Sequence, residues 1–451
     1  MLSPARRLGR LVDFVSQPLD RPDRKLMRDC ILGMALTASC CQTTWADALA
    51  EDSPGSTRRR INRFLNGDLD LPRLWDRLQT RNLRTLRTRQ GRDVVVAVDY
   101  SAANHNAASM AAGAGMDGVV MCWQGSLGRE DPGHPHVTIQ GITDDGFHIP
   151  LLLQPWDRDE TLEDGRTPRW PSDTRVYLDA IDRVRWAAGD ETIWAFDRGY
   201  SARTYAPHFD RWDLAWVVRV SIANSMTLAD LDGRRAQVGS LLDTAKVVAR
   251  VQRTSCTARR KKLGPRTDEV RAIPVRLTMA NAEKDPIGPV RTLISSTVVS
   301  NPRIRVVVLA DRLLTDPEEI LRYRAAYHRR WPAVETGLRQ MKNRSTQFGL
   351  SYEDARGLNW PTIEKMALLV SIYQGFTSEL GRVAQTAPAS AAPVLDRVYT
   401  SASDPYDWRY RVTRGMTKYL QERIWAERER RRRSGQEPWK RVADCLFGEL
   451  R

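Results

Sequence analysis

Apolar positions recur with two different periods along this chain, and the change falls near Val94. Before it, apolar residues are spaced as on helices. Arg24–Cys41 carries Leu26, Met27, Ile31, Leu32, Met34 and Leu36, and Leu71–Leu86 continues the pattern. Between them a Ser-Pro-Gly break at Ser53–Gly55 precedes TRRRINRFL at Thr57–Leu65, where Arg58, Arg59, Arg60 and Arg63 cluster around Ile61 and Phe64. From Val94 the texture is that of strands. Val94–Val98 is an unbroken, mostly β-branched run ending at Asp99, as in a strand buried on both faces. A Gly/Ala-rich stretch, Asn104–Gly115, interrupts regular structure. His136–Ile142 and Phe147–Trp156 predict a hairpin around Asp144-Asp145-Gly146. An amphipathic helix follows at Asp173–Trp186, then a strand at Glu191–Phe196 ending at Asp197, a short helix at Ser201–Phe209 and a strand at Leu214–Val220. Three strands, a helix, a strand, a helix and a strand make a mixed α/β sheet.

Beyond Ile222 the pattern turns to short strands and turns: Val270–Met279, Thr292–Val299 and Arg303–Ala310, with an exposed basic turn at Arg259–Lys262. A long helix is expected from Pro317 to about Gln347, a second over Pro361–Val383, and an Ala/Pro/Ser linker at Ala387–Pro393. The last segment reads as helical and very basic, with RERRRRS at Arg428–Ser434. The expected organisation is a helical domain at 1–90, the first part of an α/β core at 91–221, an inserted β subdomain at 222–312, the second part of the core at 313–385, and a basic helical region at 386–451. No internal repeat is visible.

Charge adds a partner to this picture. The formal net charge is +15, and only 9 of the 70 basic residues are Lys. Arginine stays ionised and forks onto phosphate, so the excess points to a polyanion, above all nucleic acid. A small helical domain with an arginine-rich helix suits double-stranded DNA, although such runs also serve as solvated helix faces. No apolar run reaches membrane-spanning length, and the N-terminus lacks the apolar core of a secretory signal. The six cysteines form no CxxC pair and no zinc spacing, which disfavours a disulfide framework and fits a reducing cytoplasm. His105, His134 and His136 cluster loosely but match no zinc pattern. Trp123, Trp156, Trp194 and Trp216 lie in apolar stretches and read as core rather than base-stacking platforms.

The candidate chemistry lies in three carboxylates. Asp99 closes VVVAVD and Asp197 closes TIWAFD, each at the end of a central strand. Taken alone, either would read as a turn or cap residue; as a pair on neighbouring strands they need a compensating cation. Mg²⁺ takes such oxygen ligands, and two metal ions can serve an in-line phosphoryl transfer. A third carboxylate, Glu335, sits in YHRRWPAVETGLRQMK at Tyr327–Lys342. On a helix Glu335, Arg339 and Lys342 share a face, a pattern that also describes an ordinary ion-pair ladder.

These motifs together resemble the DDE transposases of the insertion-sequence-4 family. That family has a ribonuclease-H-like core, a β insertion between the second Asp and the Glu, and a Tyr-x-x-Arg-x-x-x-Glu-x6-Lys signature. AFDRGYSARTY at Ala195–Tyr205 resembles the second-Asp motif, and WVVRV at Trp216–Val220 the strand after it. Tyr327, Arg330, Glu335 and Lys342 match the signature, with one extra residue between Arg330 and Glu335. The resemblance implies a ribonuclease-H-like fold in which Asp99, Asp197 and Glu335 are catalytic and hold two Mg²⁺ ions, with Mn²⁺ able to substitute. It implies that Tyr327, Arg330 and Lys342 grip DNA phosphates. Arg198, Arg339 and the Arg58, Arg59, Arg60 and Arg63 cluster are further DNA-binding candidates. The expected partners are the element's terminal inverted repeats, target DNA and a second copy of the chain in the synaptic complex. Where some cut-and-paste members carry a Trp that braces a hairpin intermediate, this chain has Val306, so the resemblance does not extend to a hairpin step. A catalytically silent DNA-binding descendant and a nuclease that cuts without joining remain as other readings. The extra residue and Pro332 together predict a π-bulge or kink around His328–Ala333, returning Arg330 to the side of Glu335.

Overall fold

The computed structural model describes residues 3–49, 53–88, 94–104, 119–124, 129–143, 147–156, 172–189, 192–197, 199–222, 227–253, 266–278, 287–342, 350, 352, 359–398, 408–436 and 442–448. Helices come first: α1 (Pro4–Ser16), α2 (Arg21–Thr37), α3 (Gln42–Leu49), α4 (Pro54–Asn66) and α5 (Leu71–Arg87). Four of them start alike. Ser3, Asp20, Ser53 and Asp70 cap α1, α2, α4 and α5 through a side-chain oxygen, each with a Pro in the first helical positions.

An α/β segment follows: β1 (Val95–Asn104), β2 (Val120–Gln124), β3 (Arg129–Ile142), β4 (His148–Pro155), α6 (Asp173–Ala188), β5 (Ile193–Phe196), α7 (Ala202–Arg211) and β6 (Ala215–Arg219). Then come β7 (Thr227–Ala229), β8 (Arg235–Gln237), α8 (Val238–Asp243), β9 (Lys246–Arg253), β10 (Arg266–Leu277), β11 (Ile287–Val298) and β12 (Asn301–Ala310). The chain closes with α9 (Pro317–Lys342), α10 (Trp360–Thr386), α11 (Pro388–Leu395), α12 (Trp408–Arg433) and α13 (Val442–Phe447).

The described strands form one mixed sheet of twelve, in the order β2-β3-β1-β5-β6-β12-β11-β10-β7-β8, with β4 on β3 and β9 on β10. β1, β5 and β6 are parallel, and the neighbours on either side are antiparallel. The strands of the expected insertion extend this same sheet, because β12 pairs with β6. Both faces of the centre are buried. Val95, Ala97, Ile193, Ala195 and Val217 pack under α9, with Tyr323, Ala326, Tyr327 and Val334. Val96, Val98, Trp194, Phe196, Trp216 and Val218 belong to the larger core on the other face. This two-sided burial is why VVVAV and TIWAF read as continuous apolar runs. Each large side chain buried under α9 contributes about 1.5–3 kcal/mol, which holds the helix across the strand ends.

The helices of the two chain ends pack together. Arg28 on α2 is buried, pairs with Asp13 on α1 at 2.6 Å, and donates to the Gly448 carbonyl beyond α13 at 2.8 Å. Thr417 on α12 donates to the Ala35 carbonyl at 2.8 Å. Lys365 on α10, 2 % exposed, donates to the Leu65 carbonyl at 2.9 Å and to that of Gly67, closing the C-terminal end of α4. The stretch read as a linker contains α11 instead. Pro388 is tolerated in the first turn, alanines favour the helix, and Ala391 and Val394 are buried. Among the described residues no helix is long and apolar enough to cross a membrane, and none of the five described cysteines is in a disulfide. Trp156, Trp194 and Trp216 are buried, as expected. The Trp123 side chain, the 144–146 turn, the basic turn at 259–262 and His105 lie outside the described residues.

Candidate active site

Asp99 and Asp197 are placed by the register of three parallel strands. Val98 lies opposite Phe196, and Phe196 opposite Val218. The next residues are Asp99, Asp197 and Arg219, so one row across the sheet carries two carboxylates and a guanidinium. Side chains in that row point to the same face as Val95, Ala97 and Ala195, the face covered by α9. Asp197 directly follows β5, as expected. Asp99 differs: it sits within β1, which continues to Asn104 paired with β3, while its parallel ladder with β5 stops at Val98. The end of the parallel ladder, rather than the end of the strand, opens the space beside Asp99.

The helix α9 supplies the groups that meet the aspartates. Asp316 starts it, accepting from the Glu318 N–H at 3.0 Å through its side chain, and Glu318 and Glu319 lie favourably in the first turn. The Arg330 guanidinium is 2.9 Å from Asp99 Oδ1 and 3.9 Å from Asp197 Oδ2, and its Nε is 3.5 Å from the Val98 carbonyl. It is 1 % exposed, whereas the Asp99 and Asp197 side chains are 23 % and 29 % exposed. The cation is thus buried behind two anions that keep an open side. Burial alone would weaken its charge, but Asp99 and Asp197 outweigh that and raise its pKa above the usual Arg value. The Tyr327 hydroxyl donates to Asp197 Oδ1 at 3.4 Å. Burial and then Asp197 push its pKa up, against the nearby Arg330 and Arg219.

Behind the aspartates lies a set of tyrosines that the sequence reading passed over. Tyr200 is 3 % exposed, its ring centre is 4.9 Å from that of Tyr177, and its hydroxyl has no hydrogen-bond partner among the described residues. Burial, then Tyr177 and Asp99, raise its pKa well above the ordinary value. The backbone N–H of Tyr200 donates to the Asp197 carbonyl at 3.0 Å and shapes the turn after β5. Its signal was available in AFDRGY, as was that of Arg219 in WVVRV, where it alternates with Val217 onto the α9 face.

The structure therefore brings Asp99, Asp197, Tyr327 and Arg330 together. Arg198 and the side chains of Glu335, Arg339 and Lys342 lie outside the described residues. Among described residues there is no group of three or more His, Cys, Asp or Glu that could hold a metal. The expected π-bulge is not found: α9 is α-helical from Pro317 to Lys342. No bulge is needed, because Tyr323, Ala326, Tyr327, Arg330 and Val334 already share the sheet-facing stripe at regular spacing. Arg58, Arg59, Arg60 and Arg63 are exposed on α4, whose Thr57, Ile61, Phe64 and Leu65 are buried. No protein-family model and no curated protein sequence matches this chain.

Proposed function

We propose that this chain is a DNA transposase with a ribonuclease-H-like catalytic core, acting on the ends of its own element. The observation that carries the reading is the aspartate pair on adjacent parallel strands, contacted from one helix by Tyr327 and Arg330. Four motif residues from three separate stretches of the chain meet at one place. The donor set fits the implied metal: two carboxylates with an open side are hard oxygen ligands of the kind Mg²⁺ takes. Asp99 and Asp197, with Glu335 as the third carboxylate, would hold it. When bound, the metal supplies charge neutralisation and activation of the attacking oxygen in phosphoryl transfer.

The chain's own residues then have separable tasks. Tyr327 orients Asp197 through its hydroxyl. Arg330 offsets the repulsion between the carboxylates. The exposed arginines of α4 provide a cationic face for the DNA backbone, which positions the duplex without reading its sequence. The reaction is tested by strand transfer. The chain is supplied with pre-cut DNA ends taken from the flanks of its own reading frame, target plasmid and Mg²⁺. Joined products support a transposase; cutting of intact ends without any joining would reduce the function to that of a nuclease. Inverted repeats and a short target duplication in those flanks are also expected.

A further inference from the structure

The candidate site contains a cation of its own. Arg330 is among the largest fully buried side chains. Its guanidinium faces Asp99 at 2.9 Å and Asp197 at 3.9 Å, and Tyr327, Tyr200 and, beyond Tyr327, Arg219 are further ionisable neighbours among the described residues. A buried guanidinium needs an anion, and two carboxylates on adjacent strands need a cation. Each offsets the charge of the other without any added ion. We infer that Arg330 is the resident counter-ion of the aspartate pair, and that a divalent cation must compete with it for Asp99. The inference rests on the reading of the aspartates as a metal site.

Three features favour competition over simple coexistence. The guanidinium is closer to Asp99 than to Asp197, so one carboxylate is engaged and the other is nearer to open. Both carboxylates keep solvent access while Arg330 has almost none, so an ion can approach them while the arginine is still in place. The approaching charge is repelled by a guanidinium that solvent screens poorly, since burial keeps the local effective dielectric low. Metal loading would thereby loosen Arg330 from Asp99 and make a phosphate its next available anion, which orders metal before DNA backbone at this residue.

The test is Mn²⁺ binding without DNA, followed by electron paramagnetic resonance of the free ion at fixed ionic strength. Arg330→Gln removes the charge and keeps a polar side chain. The inference expects its Mn²⁺ dissociation constant to fall at least tenfold relative to wild type, while Arg330→Lys, which keeps the charge, stays within about threefold. It also expects Mn²⁺ to raise the melting temperature of Arg330→Gln more than that of wild type. Equal or weaker Mn²⁺ binding by Arg330→Gln, with wild type binding normally, overturns the counter-ion role and leaves the metal site intact. No Mn²⁺ binding by either protein overturns the metal-site reading and the inference with it. Should Arg330→Gln fail to fold without metal, the inference requires millimolar Mn²⁺ to restore folding, and a variant that stays unfolded with Mn²⁺ overturns it.

Discussion

Asp268 on β10 is fully buried and carries two arginines. Arg324 on α9 lies 2.6 Å from its Oδ2 and is 7 % exposed; Arg253 on β9 lies 2.5 Å from the same oxygen and is 27 % exposed. Ser296 on β11 completes the set, donating to Asp268 at 3.2 Å and accepting from Arg324 at 2.9 Å. Four elements meet there, and Arg324 is one turn before Tyr327 on the helix that serves the aspartates. Asp268→Asn keeps the shape and removes the charge. Breaking a buried pair costs about 3–5 kcal/mol, because the remaining ion stays buried without a partner. Arg253 can turn into solvent but Arg324 cannot, so the expected loss is about 3 kcal/mol, at the lower end of that range. Urea unfolding followed by tryptophan fluorescence reads it as a lower midpoint with an unchanged slope. The cause is separable from the size of the loss. Combining Asp268→Leu with Arg324→Met removes both buried charges, and should recover stability to within about 1 kcal/mol of wild type. A loss below about 1 kcal/mol for Asp268→Asn, or a double variant no better than the single one, would refute the buried-charge argument.

Other consequences follow from the same structure. His328, half-buried on α9, has its pKa pulled from 6.5 to about 3 by burial and then by Arg324 and Arg253, against Asp268. The folded chain therefore stays unprotonated at His328 where the unfolded chain takes up a proton. This stability is complete above pH 6.5 and lost as pH falls towards 3, by at most about 1.4 kcal/mol per pH unit. His328→Gln should flatten the fall in urea midpoint between about pH 7.5 and 5, and an unchanged fall would contradict the assignment. Gly415 on α12 lies so close to the Val394 carbonyl of α11 that a Cβ would overlap it. Gly415→Ala should cost about 1–3 kcal/mol, seen as a lowered melting temperature; no change would mean that α11 is not packed as described. Replacing Arg58, Arg59, Arg60 and Arg63 with Gln should weaken DNA binding and flatten its dependence on salt, because fewer counterions are released. A salt slope equal to wild type would remove α4 from the DNA interface.

The sequence was most legible where burial is two-sided. VVVAVD and TIWAFD announced the central strands and their aspartates, because neither face of those strands tolerates a polar residue. The Tyr327 and Arg330 spacing placed both on one helix face. The extent of β1 was hidden. Past Asp99 the strand continues on the strength of pairing with β3, a long-range bond pattern without an apolar signature. β2 and β9 escaped notice for the same reason, since the exposed positions of β9 interrupt any apolar alternation. The joining of the two chain ends through Arg28, Asp13 and Gly448 could not be read from residues so far apart in sequence. Pro332 misled in the opposite direction. It suggested a distorted turn, yet the sheet-facing stripe of α9 keeps its regular spacing through that point.

The proposed function requires Asp99 and Asp197 to act as one metal-dependent site for phosphodiester chemistry. Its most direct test is cleavage of a plasmid carrying the DNA that flanks the reading frame, comparing wild type with Asp99→Ala and Asp197→Ala in Mg²⁺ and in excess chelator. DNA binding is measured in parallel by gel shift. Wild type is expected to cut at the element ends in Mg²⁺ alone, with both variants binding the DNA and cutting none of it, since phosphate grip and metal binding use different groups. Cleavage of the ends by Asp197→Ala at near wild-type rate would contradict it.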